Sequence, residues 1–182
     1  GGAMANTFLL SKDITVGKSL VEQDLVEVAK NIQTKATKFN CKLILPLDVI
    51  CGKSIEDREP LEFDINDISK NYMILDLGTK TTALINQEIK NSKMVLWNGP
   101  VGAFEYKSYE RATNEIALNI KQNVKQFGIN ALAGGGDTVS AIKNANAEDG
   151  FDYISNAGGA FLEWLEGNQS PGVIALRENN LS

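Results

Sequence analysis

The sequence predicts an α/β domain built on a mostly parallel sheet with helices on both faces. Three observations lead there. Short runs rich in Ile, Leu and Val alternate with longer amphipathic runs along almost the whole chain. Repeated strand–helix–strand succession closes through right-handed crossovers onto parallel strands. The chain has 182 residues, 43% hydrophobic and 23% charged, enough for one compact domain with a real core and too apolar for a disordered chain.

The strand candidates, in order, are Lys42 to Pro46, a second extended piece through Asp48 to Cys51, Tyr72 to Leu77, Lys93 to Trp97, Asn130 to Ala133 and Phe151 to Ser155. Each is a short apolar run bounded by turn-forming or charged residues. The helix candidates between them are Leu20 to Phe39, Thr81 to Ile89, Tyr109 to Phe127, Thr138 to Asn144 and Gly159 to Leu165. In the third, Ile116, Ile120, Val124 and Phe127 recur at helical spacing and are expected to bury one stripe, leaving Glu115, Lys121 and Lys125 in water. Ile55 to Asp67 is acidic, contains Pro60 and reads as a solvated surface excursion.

Composition narrows the chemistry. Eighteen basic against 23 acidic residues give a net charge of −5 without a Lys/Arg-rich run, which argues against a nucleic-acid partner. No run approaches the roughly 18 apolar residues of a membrane span, and the start of the chain lacks the basic and apolar blocks of a secretory signal. The expectation is a cytoplasmic protein with no membrane partner. The absence of histidine removes Ser-His-Asp and Cys-His catalysis and histidine metal ligation. Cys41 and Cys51 are too few and too far apart for a zinc knuckle or a CxxC pair, and both are expected to be free, buried thiols.

In a parallel sheet, ligands bind where the carboxyl ends of strands enter helices, so the loops there deserve the closest reading. Gly134, Gly135, Gly136, Asp137 and Thr138 follow a short apolar strand and open a helix. Three glycines let a backbone approach a ligand, and the helix start adds partial positive charge, so the segment reads as a phosphate cradle. Asp137 would repel a bare phosphate and makes sense beside one if Mg²⁺ intervenes, because that ion commonly takes one or two carboxylates plus phosphate oxygens. The alternative is a glycine-rich helix cap without a ligand. Ser155 to Ala160 repeats the pattern after the next strand, with Gly158 and Gly159 at the helix start. Were the two strands neighbours, two sets of N–H donors would surround one anion.

A third loop, Leu96 to Glu105, turns tightly at Asn98, Gly99 and Pro100. Val101 and Phe104 are expected to wall a flat base, with Glu105 accepting ribose hydroxyls, as acidic residues do in other nucleotide folds. Two apparent P-loops fail: the glycine required five positions before Gly17-Lys18-Ser19 and Gly52-Lys53-Ser54 is replaced by Lys12 and Leu47. No strand is followed by GxGxxG, so a dinucleotide-binding fingerprint is absent too.

Gly1 to Leu9 (GGAMANTFL), Leu75 to Thr81 (LDLGTKT), Val95 to Glu105 (VLWNGPVGAFE), Gly134 to Thr138 (GGGDT), Ser155 to Gly167 (SNAGGAFLEWLEG) and Pro171 to Leu176 (PGVIAL), in that order and spacing, closely resemble the carboxyl-terminal half of phosphoglycerate kinases, in a bacterial flavour. The resemblance implies a three-layer Rossmann-like nucleotide-binding domain over residues 1–182, incomplete at its amino end, and a cytoplasmic, usually monomeric, glycolytic enzyme. It places Gly1 and Gly2 beside the adenine, Leu75 in the adenine slot, and Asn98, Pro100, Val101 and Gly102 against base and phosphates. Glu105 matches the ribose-binding glutamate and Asp137 the carboxylate that meets the Mg²⁺-nucleotide. Thr138 with Gly134 to Gly136 matches the phosphate-binding backbone, and Gly158 and Gly159 match the helix start that stabilises the transferred phosphoryl group.

The implied reaction is reversible phosphoryl transfer between 1,3-bisphosphoglycerate and ADP, giving 3-phosphoglycerate and ATP. Such chemistry suits a chain without histidine, because an acyl phosphate is already reactive and catalysis is mostly positioning and charge stabilisation. Family members also carry an amino-terminal domain, whose basic residues hold the phosphoglycerate, and a lysine-bearing GAKV-type segment; neither occurs in this sequence. Thr79 stands where many members have proline. The chain is therefore expected to hold ADP or ATP with Mg²⁺, to meet 3-phosphoglycerate only through an absent domain, and to be inactive alone. A non-catalytic nucleotide-binding or assembly module is the alternative.

Overall fold

The structure is a computed structural model that describes residues 1–156, 158–167 and 174. Among the described residues six α-helices and six strands follow in this order: α1 (Gly2–Leu10), α2 (Val26–Lys38), β1 (Asp48–Gly52), β2 (Leu61–Asp64), β3 (Met73–Leu77), α3 (Thr79–Lys90), β4 (Met94–Trp97), α4 (Arg111–Phe127), β5 (Asn130–Gly134), α5 (Gly136–Asn144), β6 (Tyr153–Ser155) and α6 (Gly158–Leu165). The α/β class holds.

Strands β4, β5 and β6 form a parallel sheet in that order, with Trp97 opposite Ala133 and Gly134 opposite Ser155. Its carboxyl ends are thereby brought level, and the loops leaving them share one rim. Strands β1 to β3 form a separate antiparallel sheet in the order β2-β1-β3. The acidic excursion is thus not loop throughout: Leu61–Asp64 returns along β1 as an edge strand.

Packing explains most elements. Against the parallel sheet, Ile116, Ala117 and Ile120 of α4, Ile89 of α3 and Ile142 of α5 join Trp97, Ala131 and Ala133 in one buried cluster. Helix α4 buries its stripe at the predicted spacing and stops at Gly128, whose φ of 64° is the left-handed conformation that glycine adopts without strain. The stripe ends early, however. Val124 is half-buried and Phe127 is exposed, with the Lys90 ammonium 5.8 Å from its ring centre. Of the three residues expected in water, Lys121 is half-buried, and it and Lys125 both pair with Asp149.

Three other expectations fail, and one element is not foreseen. Gly2–Leu10 is a helix that no amphipathic period announces: Ala5, Phe8 and Leu9 are buried, and so are Asn6 and Thr7, which bond to Leu20 O and Ala3 O. Lys42 to Pro46 forms no ladder among the described residues, although Leu45 packs on the core beside Leu9 and Val49. The long helix candidate begins at Val26, after a short 3₁₀ turn at Gln23–Leu25, because Leu20 to Glu22 are not helical. Finally, Cys51 is buried but Cys41 is exposed just past the end of α2. The match at Pro171 to Leu176 lies outside the described residues except for Ile174.

Candidate functional site

Both glycine-rich turns leave adjacent strands of the parallel sheet, and they touch. A Cβ added at Gly158 would lie 2.7 Å from the backbone N and Cα of Gly135 and 2.8 Å from Asn98 Oδ1. A Cβ at Gly134 would lie 3.4 Å from Gly158 Cα and from the same Asn98 oxygen. Asn98 follows β4, so the ends of all three parallel strands meet at one point, and the space between them admits no side chain at Gly158. Gly135 has a φ of 97°, which only glycine adopts freely.

The donors are not quite those expected. The Gly135 N–H is committed to Ser155 O at 3.0 Å, tying the two turns together instead of facing a ligand. The first-turn amides of α5, on Gly136, Asp137 and Thr138, precede any intrahelical acceptor and are available to an anion. Gly136 and Asp137 are exposed while Thr138 is buried.

From this cradle a cleft of about 630 Å³ runs to the antiparallel sheet. Asp137 stands at the end nearest α5, and Gly1, Gly2, Leu75, Val101, Gly102 and Glu105 line the remainder with apolar neighbours. Gly1 packs so tightly on Val101 that a Cβ would fall 2.2 Å from its carbonyl oxygen. Phe104 does not wall the cleft; it is buried, and Ala103 stands there instead. Asn98, Pro100, Gly134 to Gly136, Thr138, Gly158 and Gly159 are outside the cleft lining, and of these the cradle brings Asn98, Gly134, Gly135 and Gly158 together. Sequence reasoning missed Pro46, Ile55, Met73 and Leu77 on the walls. They carry no polar signal and are brought in only by the antiparallel sheet and its loops. A larger hollow of about 930 Å³, lined by Asp57, Arg58 and Lys107 among others, adjoins the cleft at Ile55 and Glu105.

Two buried aspartates support these walls, and their pKa values move in opposite directions. Asp48 of β1 caps α3: its carboxylate accepts the Lys80 and Thr81 amides, each at 2.8 Å, and the Thr81 hydroxyl at 2.6 Å. Burial pushes the Asp48 carboxyl up, but those hydrogen bonds outweigh it and hold the group below its ordinary value. Asp76 of β3 accepts the Ala112 N–H of α4 at Oδ2, 3.0 Å away, and burial pushes its carboxyl up to about 6 despite that bond, the Leu77 amide and the nearby Arg111. The turn above Asp76 is held by Val101 N–H to Thr113 Oγ1 at 3.2 Å and by Ala103 N–H to Leu75 O at 2.8 Å.

The sequence model of the phosphoglycerate kinase family matches residues 1–168. The chain belongs to the phosphoglycerate kinase family. The phosphoglycerate kinase of Cereibacter sphaeroides is 46% identical over 177 residues, which are 97% of this chain and 45% of that relative. That of Azorhizobium caulinodans is 44% identical over 178 residues, with the same two shares. Among solved structures, phosphoglycerate kinase from Coxiella burnetii superposes with a TM-score of 0.87 at 36% identity, covering 92% of this chain and 43% of that one. The enzyme from Pyrococcus horikoshii gives a TM-score of 0.78 at 25% identity, over 97% of this chain and 44% of that one. The chain thus spans somewhat under half the length of the relatives it matches. No helix among the described residues is long and apolar enough to cross a membrane.

Proposed function

We propose that residues 1–182 are the nucleotide-binding, carboxyl-terminal domain of a cytoplasmic phosphoglycerate kinase, holding ADP or ATP with Mg²⁺ for reversible phosphoryl transfer with 1,3-bisphosphoglycerate. The observation that carries this reading is the position of Asp137: it begins α5 beside the joined glycine turns and also ends the apolar cleft. A cradle for anions and a slot for a flat base therefore share one residue.

On this reading Gly1, Gly2, Leu75, Val101 and Gly102 enclose the adenine, with Asn98 and Pro100 shaping the turn beside it. Glu105, exposed where the cleft opens, accepts the ribose hydroxyls. The α5 amides and Thr138, with Gly134 to Gly136 giving close backbone approach, hold the phosphates. The α6 start at Gly158 and Gly159 faces the phosphoryl group in flight, where aligned N–H groups offset growing negative charge. Asp137 is the residue that would meet a divalent ion. One exposed carboxylate suits an ion that arrives on phosphate oxygens and keeps much of its water, rather than one held in a protein cage. Such an ion would neutralise phosphate charge. The phosphoglycerate itself would be held by a separate amino-terminal domain, so this chain is expected to bind nucleotide and not to turn over alone.

Isothermal titration tests the proposal. The chain should bind Mg²⁺-ADP, Asp137→Ala should weaken binding by about tenfold or more, and Glu105→Ala should weaken it less while losing preference for ADP over its 3′-deoxy analogue. No heat from the parent chain, or identical binding by both variants, would overturn it. Co-expression with the amino-terminal half of a relative should restore kinase activity; a stable complex without activity would favour a non-catalytic assembly module.

A further inference from the structure

Asp76 takes no part in the reading above, yet it sits at the joint between the two walls of the cleft. Its neighbours in β3, Leu75 and Leu77, line one wall, and Val101, Gly102 and Ala103 form the opposing turn. Three consecutive residues of the α4 first turn clasp both: Arg111 Nη2 donates to Leu77 O at 3.4 Å, Ala112 N–H donates to Asp76 Oδ2, and Thr113 Oγ1 accepts Val101 N–H. The second carboxylate oxygen, Oδ1, is buried without a hydrogen-bond partner and faces the turn, where a Cβ on Gly102 would lie 2.2 Å from it. Asp76 is 1% exposed. A helix cap alone would not call for this arrangement, since a buried carboxylate with an orphan oxygen costs stability that a neutral acceptor would avoid.

We propose that Asp76 is a positioning residue for the nucleotide slot, its carboxylate fastening the α4 first turn to β3 and seating the Val101–Ala103 turn at the spacing a flat base requires. This rests on the nucleotide-binding reading given above. The ionised form makes the stronger bond to the Ala112 amide, because a charge-assisted hydrogen bond exceeds a neutral one. The charged groups facing Asp76 are Arg111 and Glu115, both from α4. Charge at Asp76 is thus kept for the slot at the expense of the fold.

The test compares the parent chain with Asp76→Asn, near neutral pH, by Mg²⁺-ADP titration and thermal unfolding. The variant should bind about tenfold more weakly while its Tm stays level or rises, since it loses a buried charge and keeps an oxygen for Ala112. Affinity and Tm falling together would mark an ordinary structural cap and overturn the proposal, as would unchanged affinity in a parent that binds. A parent chain that binds no Mg²⁺-ADP overturns the functional reading itself, a result distinct from either. Should the variant not fold, NMR on the parent decides: the Asp76 carboxyl carbon and the amides of Val101, Gly102 and Ala103 should titrate together with a midpoint near 6. A turn whose amides ignore the Asp76 titration would end the case.

Discussion

On the proposed reading, the phosphate cradle, which meets the cleft only at Asp137, and the base slot within the cleft are made in different ways. The cradle is backbone: Gly134 to Gly136 and Gly158 to Gly159 are two strand-to-helix turns whose shape is set by a few consecutive residues and by the parallel pairing of β5 with β6. The slot is assembled from α1, β3 and the turn after β4, segments separated by dozens of residues and joined through α4. The first can be lost by adding one methyl group, whereas the second has to be unfastened. If the proposed reading holds, anion recognition rests on local geometry and base recognition on tertiary packing.

Gly158→Ala should break that comparison most sharply. Its Cβ would meet the Gly135 backbone at 2.7 Å, and backbone cannot rotate away as a side chain can. The expected cost is about 1–3 kcal/mol of stability, together with loss of phosphate recognition. Urea unfolding alongside Mg²⁺-ADP and adenosine titrations would show it. Adenosine binding should survive better than ADP binding, because the slot lies away from the glycine turns; equal loss of both would mean that the two ends are not separable.

Asp48→Asn tests the slot side through its other buried aspartate. Asp48 caps α3 with a folded pKa below its ordinary value of 3.8, so its contribution is present at neutral pH and is lost as pH falls through the lowered pKa. Asp76 runs the other way. Its pKa of about 6 lies above 3.8, so its contribution is full below the ordinary value and declines as pH rises through about 6. Asp48→Asn should cost about 1–3 kcal/mol near neutrality and progressively less in strong acid, as seen by chemical unfolding across pH. A penalty independent of pH would mean that the cap acts through shape rather than charge.

The smallest effect is expected far from both ends. Asp149 is held down to about 2 by hydrogen bonds from Lys121 and Lys125, but the group is exposed. Exposed ion pairs of this sort are screened and contribute little. Asp149→Asn should leave nucleotide affinity unchanged and lower Tm slightly, with the difference vanishing at high salt.

Much of this is legible in the sequence. Tyr72 to Leu77, Lys93 to Trp97, Asn130 to Ala133 and Phe151 to Ser155 all contain strands, and four of the five helix candidates were placed to within two residues at either end. Helix α1 was invisible because burial on several sides erases amphipathic period and leaves Asn6 and Thr7 inside the fold. Lys42 to Pro46 looked like a strand because apolar patterning reports burial, whereas a ladder also needs a partner. Phe104 and Phe127 exchanged expectations for a similar reason: hydrophobicity states that a residue prefers cover and does not say whether the fold supplies it.

The sequence by itself determined the α/β class, the two glycine turns and the carboxylate at Asp137, because these depend on the conformational freedom of consecutive residues and on the end of a single helix. Only the tertiary structure decided that the turns touch, that Gly135 donates to its neighbour instead of a ligand, and that Asp76 lies buried beneath Gly102. Those facts depend on strand order and on which distant segments exclude water from one another, and neither is written in any local stretch of residues.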